Sequence, residues 1–80
     1  MDYFLGQILL FPFDFVPMGF IQCNGAILNI TQNTALFSLI GNTFGGNVTS
    51  TFAVPNLQNT SPVAGMEYYI CTTGIYPTRD

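Results

Sequence analysis

The sequence predicts an α+β domain that is mostly β, with short antiparallel strands and one short helix over about residues 32–40. Three observations carry that expectation. Runs of aromatic and β-branched residues are brief, and each ends at a proline, a glycine or an Asn/Ser/Thr cluster, the punctuation of short strands. Only Gln32 to Ile40 spaces its apolar residues at i, i+3 and i+4. No internal repeat, low-complexity tract or linker divides the 80 residues, so residues 1–80 read as a single domain.

Taken in order, Gly6-Gln7-Ile8-Leu9-Leu10-Phe11 is β-prone and stops at Pro12. The alternation of Phe11, Phe13 and Phe15 places three rings on one side of an extended segment, the side expected to be core or interface. Pro12 and Pro17 lack the N–H that a central strand donates, so a strand followed by an irregular crossing loop is expected here. Phe20 to Cys23 reads as a short strand, Asn24-Gly25 as a hairpin turn because both types tolerate positive φ, and Ala26 to Ile30 as the return. Thr31 stands where an N-cap is wanted, Gln32 to Ile40 gives two to three helical turns, and Gly41 supplies the stop. Leu36, Leu39 and Ile40 share a face with Phe37 beside them, which describes a helix packed on a sheet.

Gly45-Gly46-Asn47 with Thr49-Ser50-Thr51 reads as a polar loop, and Phe52 to Pro55 as a short strand closed by proline. Asn59-Thr60-Ser61-Pro62 is a second turn-rich loop. Glu67 to Tyr76 is the strongest strand by β-branched and aromatic content, and Pro77 ends it. Tyr69, Cys71 and Thr73 face opposite to Tyr68, Ile70 and Thr72. Both faces carry bulk, so this strand is either central or paired with another chain.

Composition points to association. Hydrophobic residues make up 49% of the chain, against one basic and four acidic residues. A domain of this length buries only about 60% of its unfolded surface, so many of its eight Phe and four Tyr are expected near the outside unless another subunit covers them. Arg79 is the only base, which excludes a phosphate-tracking surface and hence nucleic acid as a partner. The apolar stretch from Leu5 to Phe20 is interrupted by Gly6, Gln7, Pro12, Asp14 and Pro17, so no membrane span is expected. The acidic start Met1-Asp2-Tyr3 lacks a basic n-region, and no signal peptide is expected. Cys23 and Cys71 fit no Cys-x-x-Cys pattern. They are candidates for a disulfide within the chain, buried free thiols or bonds between subunits.

Gly6-Gln7-Ile8, the segment Pro17 to Phe20, Cys23-Asn24-Gly25, the helix with Gly45-Gly46, and Thr51-Phe52-Ala53-Val54-Pro55-Asn56-Leu57 together resemble the phage tail collar domain family, which includes the bacterial microcystin-dependent proteins. The resemblance runs from about Phe4 to Pro62. Tyr69-Ile70 and Gly74 to Arg79 look like the closing strand and terminus of small proteins of this kind. A glycine-rich, often His-bearing region of longer relatives is missing between those blocks, so the chain resembles a minimal version. With no His here, the metal site that such a region can hold is not carried over. Gln58 and Thr60 stand where relatives often place Arg, and Cys71 stands two positions after the usual terminal-strand Cys. The resemblance implies a structural rather than an enzymatic protein.

The residues agree with that implication. No His is present to act as a base and no Lys to form a Schiff base, and the carboxylates are Asp2, Asp14, Glu67 and Asp80. We expect no catalytic, cofactor-binding or metal-binding residues, and no cofactor. The Gly45-Gly46 loop lacks the Lys-Ser/Thr that phosphate binding needs.

The first functional reading is a self-assembling, homo-oligomeric subunit of an extracellular fibre or phage-tail-like appendage, partnered by itself and by other tail or fibre components. Its location is then a fibre, a virion or a tail-like particle. The expected interface residues are Phe4, Ile8, Phe11, Phe13, Phe15, Tyr68, Tyr69, Ile75 and Tyr76, with strand addition at Asp2 to Leu10 or Glu67 to Tyr76. The alternative is a small adhesin that recognises a surface glycan through polar loops, with Asn47, Thr49, Asn59 and Thr60 facing the ligand. Asn29, Asn47 and Asn59 also begin Asn-x-Ser/Thr sequons, read here mainly as the consequence of frequent Asn and Thr.

Overall fold

The computed structural model describes residues 3–12, 16–47 and 49–77. Its elements in chain order are β1 (Ile8–Pro12), β2 (Phe20–Gln22), β3 (Ile27–Asn29), α1 (Thr34–Ile40), β4 (Thr51–Ala53) and β5 (Met66–Cys71). The strands form two antiparallel sheets, one in the order β1-β5-β2 and one pairing β3 with β4. This is the mostly-β α+β class that the sequence predicts.

The richest strand, β5, is the central one. Ile8, Leu9, Leu10 and Phe11 pair with Ile70, Tyr69, Tyr68 and Glu67 on one edge. Phe20, Ile21 and Gln22 pair with Cys71, Ile70 and Tyr69 on the other. Both edges of β5 are thus occupied within the chain, which closes that segment to strand addition and leaves β1 and β2 at the sheet's edges. The strand also stops at Cys71, short of Tyr76. The backbone N–H groups of Thr72 and Thr73 turn to the carbonyl of Gly19, at 2.7 and 3.3 Å, and Ile75 forms an isolated parallel bridge with Phe4.

Residues directly opposite one another in antiparallel strands share a face. Ile21, Cys23, Tyr68 and Ile70 therefore look one way. They meet Leu36 from α1, Phe52 and Val54 from the second sheet, and Leu5, and together these form the main core. Leu9, Phe11, Phe20, Tyr69 and Cys71 look the other way and form a smaller aromatic cluster with Tyr3. Its rings meet edge-on, with Tyr3–Phe20 at 5.1 Å, Phe11–Phe20 at 5.5 Å and Phe11–Tyr69 at 5.9 Å. The expected alternation on β5 is seen, with bulk on both faces.

The same parity settles the cysteines. Cys71 lies opposite Phe20, whereas Cys23 lies three residues farther along and on the other face. At about 3.3 Å per residue, that is roughly 10 Å along the sheet, beyond the ~7 Å that a disulfide spans. Both cysteines are buried free thiols, and the Cys23–Cys71 bond considered from the sequence is not formed.

Two local expectations need correction. Asn24-Gly25 does not close a hairpin between β2 and β3, because the chain does not reverse there. Cys23 donates its N–H to Tyr68 of the first sheet at 2.9 Å and accepts from Leu57 of the second segment at 2.7 Å, so it is the point where the chain passes between sheets. Only Gly25 of the pair has positive φ. At the helix, Thr31 is not the cap. Its N–H and its hydroxyl both donate to Asn29 Oδ1, and Asn33 Nδ2 donates to the carbonyl of Asn29, so Ile30 to Asn33 is consumed by a turn. The helix starts at Thr34 with Asn33 before it and no side-chain cap.

Gly41 does end the helix, its N–H donating to Phe37 at 2.7 Å. Leu36 is fully buried, and Phe37 and Ile40 pack beside it on the main core, Phe37 standing 5.3 Å from Phe52. Leu39, expected on that face, is exposed instead. The Gly45-Gly46 loop crosses directly over β4. A β-carbon on Gly46, whose φ is 103°, would stand 2.4 Å from Phe52 Cα and 2.5 Å from the Thr51 carbonyl, so only glycine fits there.

Candidate assembly surface

The segments nearest the two ends of the chain are joined to each other. Leu5 N–H donates to the Ile75 carbonyl at 2.7 Å, and Ile75 N–H donates to the Tyr3 carbonyl at 2.9 Å. Gly6 N–H reaches the Cys71 carbonyl at 2.9 Å, which ties this pairing to the end of β5. Leu5 points inward and is buried. Its neighbour Phe4 then points outward, 56% exposed, beside Ile75, which is 49% exposed.

Tyr76 extends this surface onto the helix. Its hydroxyl lies 2.8 Å from Ser38 Oγ. Ser38 already donates its proton to the Ala35 carbonyl at 2.7 Å, so Tyr76 is the donor between them. Leu39 follows Ser38, and its Cδ1 passes close to Gly6. Phe4, Leu39, Ile75 and Tyr76 thus form one exposed apolar corner where the start of the chain, α1 and the segment after β5 meet. Ile8, exposed at the start of β1, lies two residues beyond Gly6. The only charged side chain among the described residues is Glu67, and it lies on β5 away from this corner.

The other expected interface residues fall elsewhere. Phe11 is half-buried in the aromatic cluster and Tyr68 is half-buried against the main core. Tyr69 is 1% exposed and covered by its own chain, so it offers no surface to a partner, contrary to the sequence expectation. Phe13 and Phe15 lie outside the described residues. Sequence reasoning missed Met18, which is 99% exposed, as well as Val16, Leu39, Ile27, Phe44 and Val63. A signal for Met18 was present. Pro17-Met18-Gly19-Phe20 is a turn closed by Phe20 N–H to Pro17 O at 3.1 Å, with positive φ at Gly19, and turns lie at the surface.

The four polar residues expected to face a ligand are all exposed, but three are engaged in holding their loops. Asn47 Oδ1 accepts the N–H groups of Thr49, Ser50 and Thr51 at 3.0, 2.8 and 3.0 Å. Thr49 Oγ1 donates to the Asn47 carbonyl, and Thr60 Oγ1 donates to the Leu57 carbonyl at 2.7 Å. Asn59, with φ 62°, has no side-chain hydrogen bond among the described residues.

Among the described residues no three His, Cys, Asp or Glu side chains gather as a metal site. Burial pushes the Cys23 thiol up to about 11, which keeps it protonated and unreactive near neutral pH. No described helix is long and apolar enough to cross a membrane.

Residues 6–62, more than half of the chain, match the family model of the phage tail collar domain. The matched span runs from Gly6 through the loop before β5, so Phe4, Ile75 and Tyr76 of the apolar corner lie outside it. No curated protein and no solved structure matches the chain.

Proposed function

The chain belongs to the phage tail collar domain family, and from that premise we propose that it is a self-associating subunit whose apolar corner is the contact. Membership itself gives a structural role in a phage tail, in association with other tail or fibre components. The observation that carries the finer reading is the exposure of Phe4, Leu39, Ile75 and Tyr76 together, with no charge among them. From their exposed fractions the corner offers roughly 400 Å² of apolar surface, within the ~300–600 Å² of the largest patch on a typical monomer, a patch that is often functional. Two copies meeting corner to corner cover roughly 800 Å², less than the ~1,200 Å² of a stable complex. The corner alone therefore gives a concentration-dependent contact. Pairing along the outer edge of β1, the edge strand beside it, supplies the additional area and backbone hydrogen bonds of a lasting one.

Sedimentation velocity over a hundredfold concentration range tests this. Wild-type protein is expected to shift to larger species as concentration rises, and Phe4→Ser with Ile75→Ser to remain monomeric with unchanged circular dichroism. A wild-type chain that stays monomeric throughout defeats the reading. Extracellular display on a fibre follows from the same proposal.

A further inference from the structure

We infer that the cleft between the Asn56–Gly65 loop and the start of β5 binds a single neutral sugar ring, held by Glu67 and Asn59. This goes beyond the assembly role and does not rest on it. The loops of this protein are built largely by asparagine side chains, and most are used up in doing so. Asn24, Asn29, Asn47 and Asn56 each accept backbone N–H groups through Oδ1, and Asn33 donates to a backbone carbonyl. Asn59 stands apart. The turn that sets its positive φ is closed by Thr60, whose N–H and hydroxyl both go to the Leu57 carbonyl. The Asn59 carboxamide is left with its donors and acceptor unused among the described residues.

It lines a cleft of about 230 Å³ together with Ser61, Val63, Met66 and Glu67. Glu67 is half-buried there, and its carboxylate has no hydrogen bond among the described residues. The Ser61 hydroxyl is occupied, donating to the Val63 carbonyl and accepting the Val63 N–H, so it shapes the wall. Val63 is exposed and supplies an apolar surface beside the polar pair.

The donor set fits a polyhydroxylated ligand. A carboxylate accepts two hydroxyl protons, a carboxamide both donates and accepts, and an aliphatic wall packs against the C–H groups of a ring. The volume is below the ~300–1,000 Å³ of drug-sized sites, which suits one ring and not an oligosaccharide. A divalent cation is disfavoured, because it needs six or more oxygens and usually several carboxylates, and one is present.

Saturation-transfer NMR tests the assignment on the full chain in any assembly state. The probes are the methyl glycosides of glucose, galactose, mannose and N-acetylglucosamine, with ethylammonium as a cationic control. At least one neutral glycoside is expected to receive saturation. Its affinity is expected to fall about fivefold or more in Glu67→Gln, which loses the charge-assisted bonds, and in Asn59→Gly, which keeps the backbone conformation. Absence of transfer to every glycoside, transfer to ethylammonium alone, or transfer undiminished in both variants overturns the inference.

Discussion

Gly74→Ala tests how the apolar corner is built. A β-carbon at Gly74 would lie 2.5 Å from the Tyr3 carbonyl oxygen, 2.8 Å from Cys71 Sγ and 3.2 Å from the Leu5 nitrogen. Ordinary contact begins at 3.4 Å, so the closest approach is about 0.9 Å too short, and two of the three atoms are backbone that cannot rotate away. The Tyr3–Leu5 segment must lift. That breaks or stretches the bonds of 2.7 and 2.9 Å joining Leu5 and Tyr3 to Ile75, each contributing about 1 kcal/mol. It also uncovers part of the Leu5 side chain, about another 1–2 kcal/mol. The expected loss is about 2–4 kcal/mol. With a urea m-value of about 1 kcal/mol/M, the midpoint falls by about 2 M or more. Gly65→Ala is the control: it has φ 80° but open space, so it costs only about 1 kcal/mol of left-handed strain. A Gly74→Ala midpoint equal to wild type, or a smaller loss than in the control, refutes the account of the joined ends.

Gly46→Ala is expected to cost about 3 kcal/mol in the same assay, because its β-carbon would run into the backbone of Phe52. Asn47→Ala removes the acceptor for three loop N–H groups and should cost about 1–3 kcal/mol, whereas Asn59→Gly should cost less than about 0.5 kcal/mol. The Cys23 thiol titrates near 9.0 when free and near 11 when buried. The unfolded chain therefore ionises first, and stability holds below pH 9 and falls by about 2–3 kcal/mol as pH rises towards 11. In Cys23→Ala this loss should be absent from the pH profile of urea unfolding, and a wild-type profile flat over that range contradicts the burial argument.

Strand content was legible, and so was the need to cover β5 on both sides, because aromatic and β-branched density marks such a strand; that its partners are β1 and β2 of the same chain, and not another copy, comes from the fold. The glycine stop of the helix was legible for a similar reason, since Gly41 has a local geometric role. What was not legible depended on partners distant in sequence. Asn24-Gly25 has the local chemistry of a hairpin, but Cys23 is already bonded to Tyr68 on one side and Leu57 on the other, so the chain is drawn onward into a second sheet. Thr31 has the chemistry of an N-cap, but Asn29 competes for its hydroxyl from two residues away.

At the candidate surface, Phe4, Ile8, Ile75 and Tyr76 are expected at an interface because they lie in β-prone, aromatic-rich segments near the two ends of the chain, and the structure leaves them exposed. Tyr69 was indistinguishable from them by residue type, and only the register of β5 turns it inward. Leu39 was missed because its helical spacing suits the core while the corner beside Gly6 and Tyr76 is open. Glu67 and Asn59 came together through a turn and a strand start that no spacing rule connects.

The central claim is assembly through that corner, and negative-stain electron microscopy of concentrated untagged protein tests it most directly. The account predicts ordered assemblies, filaments or discrete oligomers, that are indifferent to reductant because both thiols are buried and unpaired. It predicts their disappearance in Phe4→Ser with Ile75→Ser. Fields of monomers at every concentration, assemblies that dissolve on reduction, or assemblies unaltered in the double variant would contradict it.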